Sequence, residues 1–422
     1  MNVTLLSTSD TYGGAPIACL RLTKALRKHG VAARMLVQDQ LGQEPEVTSI
    51  APAAWQRKAA FLRFVRDRLS FLPYERSRQV RFAFSPGSVG IRIAGHPLVE
   101  QADLLHLHWI NFGFLSLASL DELARLGKPL VWTLHDMWTF TGGCHYSRGC
   151  LHYQTHCHDC PFLRRPHPTD LSYRVFERKR ALYAGANVTF VACSEWLAGL
   201  ARQSALLGEA VIYAIPNPID VQRYQPLDRR EARQRLGLPP EKKLLLFGAM
   251  NTSDPRKGFA YLAEALSRLK RRGATEELEL VVFGKASASA LAGLPFKVHY
   301  LGVSGPEKLI QAYNAADGFV LPSLEDNLPN TVMESLACGT PVVAFRQGGL
   351  PEMIDHAHNG YLAAYQSAEA LAEGIAWLLA PETDAGELRR NAREKVMGNY
   401  TEELVAGKYR RLYEGLVVGS RQ

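Results

Sequence analysis

Short apolar runs alternate with helix-forming stretches along almost the whole chain, and this alternation restricts the fold more than any other feature. The predicted strands are residues 3–8, 103–109, 130–136 and 188–194 in the first half, and 244–250, 278–284, 297–302, 318–323 and 341–345 in the second. Strands that are apolar on both faces and separated by helices are typical of parallel sheets buried from both sides. The pattern predicts an α/β protein with doubly wound, Rossmann-like domains.

The length of the chain favours more than one such domain. A chain of 422 residues exceeds the usual size of a single core, and domains of about 100–200 residues are the norm. Two prolines in residues 213–220, YAIPNPID, interrupt the alternation and mark a join. We therefore expect an N-terminal domain over 1–215 and a second domain from residue 216, with a deep ligand-binding cleft between them, because ligands of open α/β sheets lie beyond the strands' carboxyl ends.

The segment 321–345, LPSLEDNLPNTVMESLACGTPVVAF, predicts a strand, an acidic loop, a helix and a further strand. Asp326 lies in the loop, and Asn327, Asn330 and Glu334 follow at a spacing that places them on one helix face. The N–H groups at a helix start favour an anion, and a carboxylate one turn later can accept hydrogen bonds from sugar or ribose hydroxyls. The segment predicts a site for a phosphorylated ligand; an ordinary capped helix is the alternative.

A basic pair, Arg256 and Lys257, follows the predicted strand 244–250 and precedes a predicted helix. A guanidinium and an ammonium group can neutralise the charge that develops when a nucleoside diphosphate leaves. A lone basic pair is more often solvated surface. Its position at a strand's carboxyl end, in the same domain as the acidic loop, favours a diphosphate site.

Two glycines, Gly13 and Gly14, occupy the turn between the first predicted strand and the first helix. Without a Cβ atom, a glycine allows the backbone to approach a ligand closely. The spacing is not GxGxxG, so the turn does not favour a dinucleotide-binding fold. A plain tight turn is the alternative.

One histidine, His135, lies at the end of the predicted strand 130–136. At that position it can hydrogen-bond a substrate hydroxyl or manage a proton. A structural histidine is the commoner case. His106 and His108 alternate with apolar residues in another strand, a pattern that indicates packing rather than catalysis.

A cysteine-rich insert, residues 144–160, follows the histidine strand with the spacing C-x5-C-x6-C-x2-C. Four thiolates at this spacing predict a structural zinc site. Its ligands would be Cys144, Cys150, Cys157 and Cys160. Reduced packing cysteines are the alternative, and neighbouring histidines offer other ligand sets.

The basic excess lies entirely in the first half of the chain, where 24 Lys and Arg residues up to Ile215 face 16 Asp and Glu, against 25 and 25 afterwards. It concentrates in residues 53–81, with eight basic residues and two acidic ones. Apolar residues recur there near helical spacing, which predicts a basic amphipathic helix suited to an anionic membrane. A cationic helix that covers the core is the alternative. Without a finger, homeodomain or RNA-binding signature, nucleic acid is not an expected partner.

The N-terminal sequence MNVTLLSTSD has neither a basic segment nor a long apolar one, and no uncharged apolar run approaches the roughly 20 residues of a membrane-spanning helix. We expect a cytoplasmic protein, in peripheral contact with the inner face of the cytoplasmic membrane if the basic helix binds lipid.

Several motifs together resemble one known family. Residues 322–345 are similar to the E-x7-E block of family 4 retaining glycosyltransferases, which have the two-domain GT-B fold. RKGF at 256–259 is similar to the family's diphosphate-binding block. The segments TLHDMWTFTGGCHYSRGC and CHDCP resemble the branch that makes bacterial exopolysaccharides such as colanic acid. The end of the chain resembles the closing helix of such folds, so the resemblance implies a second domain over 216–395 and a helix within 396–422 that crosses back to the first.

The resemblance implies transfer of a sugar from a UDP- or GDP-linked donor to a glycan or lipid-linked acceptor in cell-surface polysaccharide biosynthesis, with retained anomeric configuration. It assigns donor ribose to Glu334, donor hydroxyls to Asp326, the diphosphate to Arg256 and Lys257, and the transferred sugar to His135. It also places Gly13 and Gly14 near the phosphates and the acceptor. No cofactor is expected for the chemistry, because these cations can replace a divalent ion.

The chain departs from the family's pattern at the first acid of the block. Counting back eight residues from Glu334 gives Asp326, whereas Glu325 has the family's usual residue type. Both positions stay open from the sequence. Two other functions are compatible with a similar cleft: a nucleotide-sugar epimerase of the same fold, and a non-catalytic carbohydrate-binding subunit of a polysaccharide synthesis complex.

Overall fold

The computed structural model describes residues 1–252, 254–273 and 277–419, which form two compact units. The first unit comprises Met1–Pro218 and Glu402–Gln422, and the second comprises Ile219–Thr401. The chain thus leaves the first unit within the proline-containing join. It returns at Glu402 rather than at residue 396, because the preceding helix still belongs to the second unit. Residues 420–422 of the expected closing segment lie outside the described residues.

The first unit contains a parallel sheet whose seven described strands have the order β3-β2-β1-β4-β5-β6-β7. The strands are β1 (Asn2–Ser9), β2 (Ala32–Asp39), β3 (Val47–Ser49), β4 (Leu104–Leu107), β5 (Leu130–Leu134), β6 (Val188–Ala192) and β7 (Ile212–Ala214). β2 and β3 lie on one side of β1, and β4 to β7 lie on the other, so the order of the strands reverses between β1 and β4. Such a switch point leaves a crevice at the carboxyl ends of the strands, where ligands of this architecture bind.

Helices cover both faces of this sheet. They are α1 (Gly14–Lys28), α2 (Ala54–Phe71), α3 (Pro97–Glu100), α4 (Leu117–Ala124), α5 (Leu171–Ala184) and α6 (Glu195–Arg202), and the last helix of the chain, Glu402–Gly419, packs beside α1. On one face Leu5, Leu22 and Val191 pack with Tyr409 and Tyr413 of that last helix. The end of the chain is therefore part of the first unit's core.

The second unit is built in the same way, and its described strands have the order β10-β9-β8-β11-β12-β13. They are β8 (Lys243–Asn251), β9 (Leu278–Lys285), β10 (Val298–Gly302), β11 (Gly318–Leu321), β12 (Val342–Phe345) and β13 (Gly360–Ala363). The helices are α7 (Arg229–Leu236), α8 (Phe259–Arg271), α9 (Ala288–Ala292), α10 (Pro306–Ala315), α11 (Asn330–Ala337), α12 (Leu350–Met353), α13 (Ala368–Leu379) and α14 (Ala385–Asn399), so that the chain's last helix is α15. The strand order reverses between β8 and β11.

All the predicted strands are present, with ends that differ by at most two residues. One difference affects the site: β5 ends at Leu134, so His135 and Asp136 follow the strand instead of closing it. Four strands, β2, β3, β7 and β13, were not predicted. Polar residues such as Arg34 and Gln38 in β2 break up the apolar run by which the others are recognised.

The basic segment 53–81 forms a helix only as far as Phe71. Pro73 lies two residues further on, and because a proline has no N–H to donate, it cannot continue the helical hydrogen bonding. The alternative, a helix that covers the core, fits Ala60 and Phe71, which are buried, whereas Trp55, Phe61, Leu62 and Leu69 face solvent. Among the described residues, no helix has the apolar length needed to cross a bilayer.

Candidate active site

The loops that follow β8 and β11 meet at the switch point of the second unit. These strands are neighbours in the sheet, with Phe319 beside Leu246 and Val320 beside Phe247. Because parallel strands end at the same edge, the loop that carries Arg256 and Lys257 lies beside the loop that carries Asp326. The structure thus brings together the basic pair and the acidic loop that the sequence places about 70 residues apart.

An ion pair joins the two loops. The Nζ atom of Lys257 lies 2.7 Å from Oδ2 of Asp326, with the two side chains 26% and 15% exposed. Both side chains are therefore partly buried, but a ligand can still reach them. A charge-assisted contact in such surroundings is stronger than one at an open surface. The pair fixes an ammonium group at the carboxyl edge of the sheet.

The backbones of the loops also touch. The Leu324 amide donates to the Arg256 carbonyl at 2.7 Å. Gly258 has a φ of 65°, and a Cβ atom built there would lie 1.8 Å from the Pro322 carbonyl oxygen. Only glycine permits this approach in this conformation.

The loop after β12 completes this arrangement. Gly348 has a φ of 59°, and a Cβ atom at that position would lie 1.9 Å from the Asp326 carbonyl oxygen. The Gln347 side chain donates to the Ser323 carbonyl at 3.3 Å. Three adjacent loops therefore hold Asp326 and Lys257 in place through backbone contacts, which favours a preorganised site.

Arg256 contacts its own loop. Its guanidinium donates to both carboxylate oxygens of Asp254, at 3.2 and 2.7 Å, and its side chain is 42% exposed. Asp254 also caps the short 3-10 turn Pro255–Lys257 by accepting from the Arg256 amide. The bidentate pair with Arg256 keeps the pKa of Asp254 below its usual value despite partial burial, which raises it. Arg256 is thus oriented at the rim of the site.

The acidic block begins its helix later than the sequence pattern indicates. Pro329 is the N-cap of α11, so Asn330 is the first helical residue and Asn327 lies in the preceding loop, buried. The prediction that Asn327 shares a helix face with Asn330 and Glu334 is therefore wrong. Pro329 offers no side-chain acceptor to the first N–H groups of α11. These N–H groups begin at Asn330, four residues after Asp326.

Glu334 is buried in α11, 6% exposed, and its Oε2 accepts a hydrogen bond of 3.0 Å from the Tyr313 hydroxyl. Burial and the adjacent carboxylate both raise the pKa of Tyr313, so the phenol keeps its proton and serves as a donor. Tyr313 therefore fixes the orientation of the Glu334 carboxylate. The sequence gives no signal for this partner, which comes from α10.

The remaining predicted residues lie in the first unit. Gly13 has a φ of 105° and is the N-cap of α1, and Gly14 is the first residue of that helix. A φ in this range favours glycine. Within the described part of the chain, and apart from the neighbouring residues, the atom within 4 Å of a Cβ at Gly13 would be Cδ of Pro16, at 3.8 Å. The turn at the carboxyl end of β1 thus has room beside Gly13 that a side chain does not fill.

His135 is held by a chain of side-chain hydrogen bonds. Its Nε2 lies 2.9 Å from Nδ1 of His108, and its Nδ1 lies 3.5 Å from the Cys193 sulfur. Cys193 in turn donates to Oδ1 of Asn217 at 3.2 Å. With the thiol proton directed to Asn217, His135 Nδ1–H donates to sulfur and Nε2 accepts from His108. Desolvation lowers the pKa of His135 to about 4, so the ring is neutral near pH 7.

His108 was predicted to be a packing residue, and the structure gives it a more specific place. It is buried and orients His135, while His106 bonds the Tyr413 hydroxyl and Thr133. Burial lowers the pKa of both residues well below the usual histidine value. The signal that could have found this link is that β4 and β5 are adjacent, so their carboxyl-end histidines meet.

Asp136 is a second residue that the sequence analysis did not assign. Its Oδ2 accepts from Trp109 Nε1 at 3.1 Å and pairs with Nδ1 of His145 at 2.7 Å, and its Oδ1 accepts from the Trp138 amide. Burial raises the pKa of Asp136, but these donors outweigh that effect and the pKa lies below its usual value. The carboxylate ties the loop after β5 to its surroundings, next to His135.

The four cysteines of the insert face one cavity, which is lined by Cys144, Cys150, Cys157 and Cys160 together with aromatic and polar side chains. All four are free thiols, and the Gly142 amide donates to the sulfur of Cys157 at 3.1 Å. Among residues 1–252, 254–273 and 277–419, no group of three or more His, Cys, Asp or Glu side chains has the arrangement that holds a metal ion. Zinc at this cavity stays a prediction.

Two family models match the chain. The model described as Glycosyltransferase Family 4 matches residues 12–223, and the model described as Glycosyl transferases group 1 matches residues 241–381. The first match covers half of the chain and extends five residues past the first unit's segment Met1–Pro218. The second covers the sheet with the basic pair and the acidic block. Both units are thus similar to glycosyltransferases.

Individual proteins give the same result. The D-inositol 3-phosphate glycosyltransferase of Actinosynnema mirum is 32% identical over 93% of this chain and 91% of its own length. The putative colanic acid biosynthesis glycosyl transferase WcaC of Escherichia coli is 28% identical over 62% of this chain, which spans only 63% of that relative. Anabaena HepE, solved in complex with UDP, has a TM-score of 0.64 at 16% identity, covering 98% of this chain and all of its own.

Proposed function

The chain belongs to glycosyltransferase family 4 and its two units have the parallel-sheet domains of the GT-B fold, and on this premise we propose that it is a retaining glycosyltransferase with a UDP- or GDP-sugar donor. The acceptor in this proposal is a glycan or a lipid-linked oligosaccharide of a bacterial cell-surface polysaccharide. One observation carries the proposal: the Lys257–Asp326 ion pair at the switch point of the second unit, next to the start of α11.

The second unit offers groups for each part of such a donor. The ammonium of Lys257 and the guanidinium of Arg256 would neutralise the diphosphate, assisted by the N–H groups at the start of α11. Glu334 would accept hydrogen bonds from the ribose hydroxyls, with its carboxylate already oriented by Tyr313. Asp326 would contact hydroxyls of the donor sugar when a diphosphate draws Lys257 toward itself.

The first unit would contribute the sugar and acceptor contacts. His135 is neutral, and its two ring nitrogens are engaged by His108 and Cys193, so a sugar hydroxyl would take the place of one of these partners without adding charge. The turn at Gly13 and Gly14 has no side chain that would obstruct a ligand near the backbone. These roles are part of the proposal.

Retention of configuration requires attack on the face from which the diphosphate departs. In the proposed step the bond from the sugar's anomeric carbon to the diphosphate oxygen breaks, and the bond to the acceptor oxygen forms on the same face. The acceptor's proton passes to the departing diphosphate oxygen. The protein positions both substrates and stabilises the developing negative charge through Lys257 and Arg256, so no enzyme nucleophile is needed.

The polysaccharide role is supported by the name of the WcaC relative and by the similarity of the insert to the colanic acid branch. The relative from Actinosynnema mirum acts, by its name, on D-inositol 3-phosphate, which is a different acceptor. HepE was solved with UDP, which supports UDP as the nucleotide to test first. Donor sugar and acceptor are therefore the points that the experiment must resolve.

Metals enter the proposal in two ways. The chemistry is proposed to need no divalent ion, because Lys257 and Arg256 supply the positive charge at the diphosphate. A structural zinc is proposed for the cavity lined by the four cysteines of the insert. Burial raises the pKa of Cys144 to about 11 and that of Cys157 to about 12, so zinc binding would release the protons of these thiols. Binding would require the thiols to rotate toward a common centre.

The experiment supplies the purified protein with UDP- and GDP-sugars, with and without membranes that contain lipid-linked acceptors. Transfer is expected only when both substrates are present, and the anomeric configuration of the product should match that of the donor. Conversion of the donor sugar without acceptor would indicate an epimerase. Absence of donor consumption with every acceptor, while the nucleotide still binds, would indicate a non-catalytic carbohydrate-binding protein.

A further inference from the structure

The inner face of α2 is anchored firmly in the first unit. Phe71 is fully buried and stacks on Phe84 with ring centroids 4.8 Å apart. Arg68 is buried next to Asp67, with which it pairs, and donates to the carbonyls of Arg81 and Phe84. These contacts fix the orientation of the helix, so its outer face stays turned to solvent.

That outer face is apolar. Trp55, Phe61, Leu62 and Leu69 are 70%, 63%, 64% and 56% exposed. Trp55, Leu62 and Leu69 are spaced by seven residues and therefore form one stripe along the helix. Single exposed apolar residues are ordinary, but a continuous stripe on one helix marks an interaction surface.

Exposed cations accompany the stripe. Arg57, Lys58 and Arg66 are exposed on α2, and Arg76 and Arg78 continue the basic surface beyond the helix. The only acid within α2 is Asp67, which is buried beside Arg68. Ala54, Arg57, Lys58, Phe61 and Leu62 line a common surface depression. An anionic group in that depression would contact both a cation and apolar side chains.

We propose that this face of α2 docks onto the surface of an anionic lipid bilayer. The aromatic and aliphatic side chains would enter the boundary between headgroups and acyl chains, while the cations pair with lipid phosphates. A second copy of the chain fits less well, because a symmetric contact would bring the cations of α2 in one copy against those of the same helix in the other. The bilayer satisfies both features at once.

Docking through this surface would hold the proposed glycosyltransferase at the membrane. An enzyme that docks through its first unit would reach an acceptor whose lipid anchor lies in the same bilayer. That link rests on the proposed function, but docking itself needs no donor and no turnover. Docking and sugar transfer can therefore fail independently of each other.

The test is flotation of the full-length protein with vesicles of phosphatidylcholine alone or with phosphatidylglycerol added. One variant carries W55S, L62S and L69S, and another carries R57Q, K58Q and R66Q. Matched controls alter exposed residues elsewhere, L151S with V211S and V303S, and K408Q with R410Q and R411Q. Thermal shift with a nucleoside diphosphate monitors the fold and the donor site of each protein. Light scattering reports the oligomeric state.

The wild type should float with phosphatidylglycerol vesicles at low salt and bind phosphatidylcholine poorly. Each charge removed should weaken binding by roughly fivefold. The variant with W55S, L62S and L69S should not float. The controls should bind as the wild type does. The proposal would be overturned if the wild type failed to float with anionic vesicles at low salt, or if each α2 variant bound vesicles as well as its control does. A dimer that the serine substitutions dissociate would also overturn it. None of these outcomes depends on the transfer assay.

Discussion

The Nζ of Lys257 lies 2.7 Å from Oδ2 of Asp326, and this contact joins the two loops that flank the switch point of the second sheet. The two residues are far apart in sequence and meet because β8 and β11 are adjacent parallel strands. A ligand diphosphate at this edge would compete with Asp326 for the ammonium group. The pair is thus both a structural contact and a preformed charge at the proposed donor site.

Replacing Lys257 or Glu334 by alanine is expected to remove sugar transfer while the fold remains intact. Lys257→Ala deletes the charge proposed to stabilise the departing diphosphate, and Glu334→Ala deletes the proposed ribose acceptor. Loss of one such preorganised contact commonly costs about 3–4 kcal/mol at the transition state, a factor of roughly 10²–10³ in kcat. Steady-state kinetics with saturating acceptor, together with circular dichroism, measures both effects.

The matched control for the lysine is Lys308→Ala, which removes a lysine of the same unit whose Nζ donates to the Leu301 carbonyl. Its turnover should equal that of the wild type. Near-normal turnover in Lys257→Ala or Glu334→Ala would argue strongly against the assigned roles. An unfolded Glu334→Ala would be separated from a catalytic loss by Glu334→Gln, which keeps the volume and can still meet the Tyr313 hydroxyl.

Gly258→Ala is expected to destabilise the second unit more than the same change at Gly302. Both glycines have a φ between 65° and 68°, so both substitutions place alanine in a strained conformation. Among the described residues, and apart from its chain neighbours, no heavy atom lies within 4 Å of the new Cβ at Gly302, whereas at Gly258 the Pro322 carbonyl oxygen would be 1.8 Å away. We expect a loss of about 1 kcal/mol at Gly302 and about 2–4 kcal/mol at Gly258.

Urea unfolding of the two glycine variants measures these free energies. Nucleoside diphosphate affinity should fall only in Gly258→Ala, since the collision separates the loops that hold Lys257 and Asp326. Equal losses of stability at the two positions would show that the contact between those loops does not matter to the fold.

The first unit should lose stability when the pH falls from 7.5 to about 5. The pKa of His135 is lowered to about 4 and those of His106 and His108 lie well below 6.5, so the unfolded chain binds protons first as the pH decreases. This stability is fully present above pH 6.5 and is lost toward pH 4. Each histidine that stays neutral in the folded state lowers the free energy of unfolding by up to about 1.4 kcal/mol for each pH unit of decrease in that window.

Denaturant unfolding at several pH values, followed by tryptophan fluorescence, measures this dependence. His108→Phe should flatten it, because one buried neutral histidine is removed, although the loss of its bond to His135 lowers stability at every pH. A free energy of unfolding that stays level between pH 7.5 and 5, or rises as the pH falls, would contradict the account.

The purified protein is expected to contain about one zinc ion per chain, bound by the four cysteines of the insert. Removing a thiolate ligand lowers the affinity of a structural site steeply, so Cys157→Ser and Cys160→Ser should each lose the metal. Cys338→Ser, a buried free cysteine of the second unit, is the matched control and should keep it. Elemental analysis of protein prepared without chelator decides the matter, and a zinc content near zero would remove the prediction.

The sequence predicts the two sheets well because their strands are continuous apolar runs, and it fails where polar residues interrupt them, as in β2. It places Lys257 and Asp326 on loops of one domain but cannot show that these side chains meet, since that depends on strand order. The Glu334–Tyr313 and His135–His108 bonds were missed for the same reason. For α2 the apolar spacing is visible in the sequence, but the side of the helix that faces the protein is decided by Arg68 and Phe71.

The most direct test of the central claim is calorimetric titration of the wild type, Lys257→Ala and Lys308→Ala with UDP and with GDP. The account predicts that one of the two nucleotides binds the wild type and Lys308→Ala with equal affinity and a stoichiometry near one. It also predicts that Lys257→Ala binds that nucleotide at least tenfold more weakly. Failure of both nucleotides to bind the wild type, or unchanged affinity in Lys257→Ala, would contradict the claim that this ion pair marks the donor site.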